Sequence, residues 1–331
     1  MTPRGAALAA LALAAALAAG LLAGPADLAP GDVLATLTAP GDAPPLARAV
    51  VWDLRIPRIL VAGLVGAALS GAGVVTQGFF RNPMAGPGVL GLSACGALTA
   101  TSGIALGADA AGPMATPALA ALGVAAGLIA LLGFARPGSG PATLLLAGIA
   151  LSALASALST LVLALSTEQW DLARRVLAWL MGSFESRSYE HVLLGVLPVA
   201  LGLVAAAGIR GDLDVLVLGH EPAASLGVHP RTTALVTVAA VTLLVGAATA
   251  MAGVIGFVGL IVPHLVRLRV GPRHGPLLAH AVLWGAAAMV AVDTIARAAT
   301  LVPLPPGVAT SLAGAPLFLW MLRRSARGWV T

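Results

Sequence analysis

Uncharged, mostly apolar stretches of spanning length alternate along this chain with short polar breaks. The apolar blocks fall near residues 5–24, 57–80, 90–107, 114–135, 143–166, 191–209, 232–252, 255–270, 276–296 and 307–322. A helix of about 20 residues crosses a bilayer's hydrocarbon core. The pattern therefore predicts an all-α integral membrane protein of about ten transmembrane helices, one domain over residues 1–331. The eighth block is the least regular, because Pro263 and several glycines interrupt it. Residues 5–24 follow Arg4 much as a signal-peptide core would, but the apolar run is long and many spans follow, so it reads as a retained first helix.

The stretch from 55 to 92 is the most specific. Arg55 and Arg58 lead into an uncharged run rich in Gly and Ala, which ends at Arg81-Asn82-Pro83. Small residues at this density let neighbouring helices approach closely. A shift of 180 residues superposes Leu64-Val65-Gly66-Ala67-Ala68 on Leu244-Val245-Gly246-Ala247-Ala248, Ala72-Gly73-Val74 on Ala252-Gly253-Val254, and Pro83 on Pro263. That joins the second block to the seventh. Five crossings separate them, so the two halves are expected to be inverted repeats.

Composition fixes the class. Hydrophobic residues make up 59% of the chain and charged residues 9%, with mean hydropathy +0.99. So few charges do not cover the surface of a soluble protein of this length. All 18 basic residues are arginine; without lysine there is no P-loop, so the chain does not bind ATP through that motif. Cys95 is the single cysteine, which excludes an internal disulfide, and it reads as a small buried residue. With both termini cytoplasmic, eleven arginines lie inside and seven (Arg48, Arg55, Arg58, Arg174, Arg175, Arg187 and Arg297) outside. This bias favours that orientation.

Two polar stretches interrupt the blocks. Residues 25–54, on the outer side, carry Pro25, Pro30, Pro40, Pro44 and Pro45 and read as a loop with little regular structure. Residues 210–231, on the inner side, mix charged and apolar positions, with Gly219 and Gly227 bracketing a short helix. Such a piece is either a grip for a partner protein or a loop lying on lipid headgroups.

The segments RIPR, GAALSGAG, FFRNPMAGPGVLGLS, LLLAGIALSAL, LGHEPAASLGV, GVIGFVGLIVPHLVRL and PPGVATSLAGAPLFLWML occur in the order of the FecCD-type permeases, and the chain resembles that family over nearly its whole length. These are membrane subunits of ABC importers for iron-siderophores, haem and vitamin B12, with an inverted-repeat, type II importer fold; the likeness is greatest to haem or B12 importers. The resemblance implies a bacterial inner-membrane location. It implies as partners a second copy of the permease, two ATP-binding subunits that hold the ATP and Mg, a periplasmic substrate-binding protein and membrane lipid, with no nucleic acid. It implies no cofactor, metal or catalytic residue in this chain.

Residue by residue, the resemblance makes Arg55, Arg58 and Arg297 a periplasmic set that docks the binding protein through its carboxylates. The alternatives are interfacial anchoring for Arg55 and Arg58, and an i, i+4 pair with Asp293 for Arg297. Asn82, Pro83 and Met84 fall at the cytoplasmic gate, with a second gate element near Gly140-Pro141-Ala142-Thr143, where this chain departs from the family's usual Ser/Thr. Leu218, Gly219, His220, Glu221, Ala224, Leu226 and Gly227 fall in the coupling segment that the ATPase grips. His264 reads as a packed, hydrogen-bonded residue and not a haem ligand. The expected function is an ATP-driven importer permease, not an enzyme, with haem as the expected cargo and siderophore or cobalamin as alternatives. An ion-coupled secondary transporter is the competing class; it needs ionisable groups buried within helices, and Asp293 is the deepest candidate.

Overall fold

The structure is a computed structural model that describes residues 3–24, 26, 28–134, 141–298 and 304–326. Every regular element among them is helical. In chain order these are α1 (Pro3–Leu22), α2 (Pro30–Thr38), α3 (Pro45–Phe79), α4 (Leu92–Ala105), α5 (Ala115–Phe134), α6 (Pro141–Leu165), α7 (Trp170–Leu180), α8 (Tyr189–Gly208), α9 (Arg210–Leu216), α10 (His220–Ser225), α11 (Pro230–Ala252), α12 (Val258–Val270), α13 (His274–Ala298) and α14 (Pro306–Ala326). Each predicted apolar block holds one helix. Seven helices among the described residues are long and apolar enough to cross a membrane: α1, α3, α5, α6, α8, α11 and α13. At 14 and 13 residues, α4 and α12 are shorter than a crossing needs. Length and apolarity thus carry seven crossings and leave the predicted count of ten unestablished.

Residues 25–54 differ from the prediction. They hold α2, and α3 begins at Pro45. The prolines start these helices: Pro30 and Pro45 occupy the first helical turn, where a missing N–H loses no bond. The Trp52 indole N–H donates to the Thr36 carbonyl at 3.1 Å and ties α2 to α3. Across Ala49–Arg55 the α3 helix widens by a residue per turn before tightening at Ile56.

Two glycine crossings hold α3 at the centre. A Cβ on Gly66 would lie 2.1 Å from the Gly285 carbonyl oxygen, and one on Gly285 would lie 2.4 Å from that of Gly66. Here α3 and α13 touch backbone to backbone. Gly73 meets the carbonyl of Gly259 in α12 as closely. Bringing backbones together in this way gains dispersion contact that larger residues would hold apart.

The same contacts reveal the repeat. Gly66 packs on α13, while Gly246, 180 residues on, packs on Val124 of α5. Gly259 of α12 abuts Leu69, while Gly96 of α4 abuts Thr249, again 180 residues on. So α3 packs on α12 and α13 of the second half, and α11 packs on α4 and α5 of the first. Exchanged partners of this kind are what two inverted halves produce.

Candidate functional site

The candidate residues collect in the first half of α3 and at its far end. In its first half, where the widened turns end, Arg55 is 3% exposed and its guanidinium donates to three backbone carbonyls: Leu21 at 2.6 Å, Leu22 at 3.2 Å and Ala26 at 2.7 Å. These close the end of α1, where the last helical carbonyls lack intrahelical partners. Arg297, 8% exposed, donates to the Gly20 carbonyl. Arg58 forms a two-pronged pair with Asp293, Nε to Oδ2 at 2.9 Å and Nη2 to Oδ1 at 2.7 Å. Arg297 Nε lies 3.7 Å from Asp293 Oδ2. The structure does gather the three predicted arginines. It turns two of them inward, however, because carbonyls of α1 and a buried carboxylate claim their forks. Only Arg58 keeps substantial exposure, its side chain at 22%. All three guanidinium groups are thus engaged within the chain, Arg58 by both prongs on Asp293 and Arg55 and Arg297 by carbonyls at the end of α1. Asp293 is the hub that the i, i+4 spacing to Arg297 foreshadowed.

At the other end of α3, the N–H of Arg81 bonds the Gly78 carbonyl and that of Asn82 bonds the Gln77 carbonyl. Arg81 takes the left-handed backbone conformation, φ 50°, that such helix ends commonly require. The Asn82 side-chain oxygen accepts the N–H of Met84 at 2.9 Å, shaping the Asn82-Pro83-Met84 turn. This turn borders a cleft of ≈ 500 Å³ lined by Phe80, Arg81, Asn82, Met84, Ala85, Val89, Ala142, Leu145 and Ile149. The two predicted gate elements, the 82–84 turn and the start of α6, therefore face one another across one cavity. Gly140 lies outside the described residues.

The 218–227 segment sits beside that cleft. A Cβ on Gly219 would lie 3.9 Å from Arg81 Nη1. Ala223 and Val228 are buried and pin the segment down, whereas Leu218 (63%), Glu221, Ala224, Leu226 (65%) and Gly227 are exposed. The His220 side chain lies outside the described residues. The segment thus turns Leu218 and Leu226 away from the rest of the described chain.

Sequence reasoning missed the supports of this end. Gln77 accepts from Arg267 Nη2 at 3.0 Å and donates to the Leu260 carbonyl at 3.0 Å. Asp212 accepts from Thr233 at 2.8 Å, and Asp214 accepts both from the N–H of His274 at 2.8 Å and from its ring at 2.6 Å. No local spacing marks these pairs, whose members lie 21 to 190 residues apart. His264 is packed as expected, but its Nδ1 is buried with no hydrogen-bond partner. Among the described residues no cluster of His, Cys, Asp and Glu is arranged to hold a metal ion.

Residues 11–324 match the FecCD transport family. The chain is 40% identical over 286 residues to the hemin transport system permease protein HmuU of Yersinia pestis, covering 83% of each. It is 36% identical over 281 residues to the cobalamin import system permease protein BtuC of Halobacterium salinarum, covering 85% of this chain and 75% of that one. A solved inward-facing metal-chelate type ABC transporter superposes with a TM-score of 0.86 at 31% identity, over 97% of this chain and 99% of the other.

Proposed function

The chain belongs to the FecCD transport family, and from that premise we propose that it is the membrane-spanning permease subunit of an ATP-driven importer for cobalamin, haem or chelated iron. The observation that carries the reading is the grouping at one end of α3: the Asn82-Pro83-Met84 turn, the start of α6 and the exposed 218–227 segment around one cleft. That end is the cytoplasmic face, where two separate ATP-binding subunits grip the segment. The opposite end, with α2 and Arg58, is the periplasmic face, where the binding protein docks. Both termini are cytoplasmic, the membrane is the inner one, and two copies of the chain enclose the pathway. Arg58 contacts the binding protein; Arg55 and Arg297 hold α1 and Asp293 behind it.

Haem is the proposed cargo. The cleft is walled mainly by apolar side chains, with Arg81 as its cation and no carboxylate, which suits an apolar macrocycle bearing acidic groups. The ion-coupled alternative is opposed by Asp293: the one buried carboxylate among the described residues, 1% exposed, is already engaged by two arginines. The test is transport into proteoliposomes holding the complete complex, comparing haem, a ferric siderophore and cobalamin with their binding proteins. ATP-dependent haem uptake is expected. Uptake of another cargo alone overturns the haem assignment, and accumulation by the permease without an ATPase overturns the importer reading.

A further inference from the structure

We propose that α9 is a mechanical joint, and that Asp214 and His274 are the positioning residues through which the coupling segment moves the gate turn. The proposal rests on the importer reading above.

A helix of seven residues has little stability of its own, so its contacts set its position. Leu213 and Leu216, each 1% exposed, form its buried side, and the helix packs on α3, α13 and α10. Such apolar contacts resist separation but are not directional. Direction comes from Asp214. Its Oδ1 accepts two bonds from one residue, the backbone N–H of His274 at the start of α13 and the ring Nδ1–H. Since a carboxylate only accepts, Nδ1 carries the proton.

The far edge of the imidazole meets α3. A Cβ on Gly78 would lie 2.3 Å from His274 Nε2, so the ring occupies space that only glycine leaves open. Nε2 is buried with no hydrogen-bond partner; the ring is held by Asp214 on one side and pressed on the helix by the other. Gly78 carries the carbonyl that accepts the N–H of Arg81, and Arg81 opens the gate turn. In the other direction, hydrogen-bonded turns run without a break from α9 into the coupling segment: Leu218 to Val215, Gly219 to Leu216, Ala223 to Gly219. A push on the segment reaches α3 through the ring, and a pull reaches α13 through the carboxylate. Gln77, fixed to α12 by Arg267 and the Leu260 carbonyl, makes the neighbouring turn of α3 the pivot.

The experiment uses the complete complex, permease with ATPase and binding protein, in proteoliposomes loaded with haem as cargo. Co-purification of the ATPase, ATP hydrolysis and cargo moved per ATP are measured for D214A, H274A, the double variant, D214N and G78A. D214A and H274A are expected to keep the ATPase and its hydrolysis while cargo moved per ATP falls about tenfold. The double variant should be no worse than the more severe single one. D214N, whose amide oxygen can accept the same two N–H groups, should retain about half of the coupling. G78A, which pushes the ring aside while leaving Asp214 intact, should uncouple as D214A does. Unchanged cargo per ATP in D214A overturns the proposal. Multiplying defects in the double variant, or loss of the ATPase from D214A, also overturn it, since each assigns Asp214 a merely structural role. A wild-type complex that hydrolyses ATP but moves no haem sinks the haem assignment, and the same variants are then read with ferric siderophore or cobalamin; a wild-type complex that moves none of the three sinks the importer reading.

Discussion

Asp293 is the residue on which the first half of α3 depends. It is buried, bonded by both prongs of Arg58 and approached by Arg297, while Arg55 stands nearby on the end of α1. Removing one partner of a buried ion pair leaves its counter-charge unsatisfied, which typically costs about 3 kcal/mol or more. D293A should therefore lower the unfolding midpoint in detergent markedly, while R48A, at an exposed position, should leave it in place. Equal stability of D293A and the parent would mean that water or another group already serves the arginines. Gly66 gives a second prediction. G66A drives a methyl into the Gly285 carbonyl, and overpacking of this kind costs about 1–3 kcal/mol, read as a lowered melting temperature of the purified subunit. Only part of this was legible in the chain. The arginine cluster stood out because charges at the edges of apolar blocks are few. The direction each side chain takes did not, because Arg55 is claimed by carbonyls 29 to 34 residues away.

At the scale of elements, apolar length predicted well because an unsatisfied backbone cannot face lipid, so every block must become a helix. The short helices followed other rules. Prolines taken as signs of a loop in residues 25–54 begin α2 and α3, where proline is harmless. Another departure, at α12, comes from Gly253 and Phe257, with φ of 73° and 65°, which end α11 and delay the next helix. There Ser183 N–H bonds the Ala252 carbonyl at 2.8 Å, so the irregular backbone is covered by protein. The 218–227 segment was legible because its glycines and mixed polarity are local signals. Its energetics divide by side chain. L218D with L226D should release the ATPase from the purified complex while leaving the permease's melting temperature unchanged, since both leucines already face outward. V228D should instead destabilise the permease itself, because it buries a charge without a partner. If both substitutions lower the melting temperature alike, the segment's outer face packs on something within the permease.

Over the whole molecule, the inverted halves place a matching close contact toward each end. Two turns into α6, a Cβ on Gly148 would lie 2.3 Å from the Val89 carbonyl oxygen, in the segment that follows α3. Two turns into α14, a Cβ on Gly314 would lie 2.5 Å from Cβ of Phe257, in the segment that follows α11. The two crossings are counterparts at opposite ends, since α3 and α11 run in opposite senses. A methyl at Gly148 should therefore part α6 from residues 89–90 and loosen the end bearing the Asn82 turn. One at Gly314 should part α14 from Phe257 and loosen the other end. Neither change touches the far closure directly, and interiors this tightly packed shift in discrete steps without yielding smoothly. Single cysteines introduced near each end, in a background with Cys95 replaced by serine, report this through labelling by a membrane-impermeant thiol reagent applied to one side at a time. G148A should raise labelling at the Asn82 end alone and G314A at the opposite end alone, each several-fold, the scale expected when about 1 kcal/mol of closure is lost. If both variants opened the same end, the repeat would be an architectural relic with no bearing on how the two gates alternate.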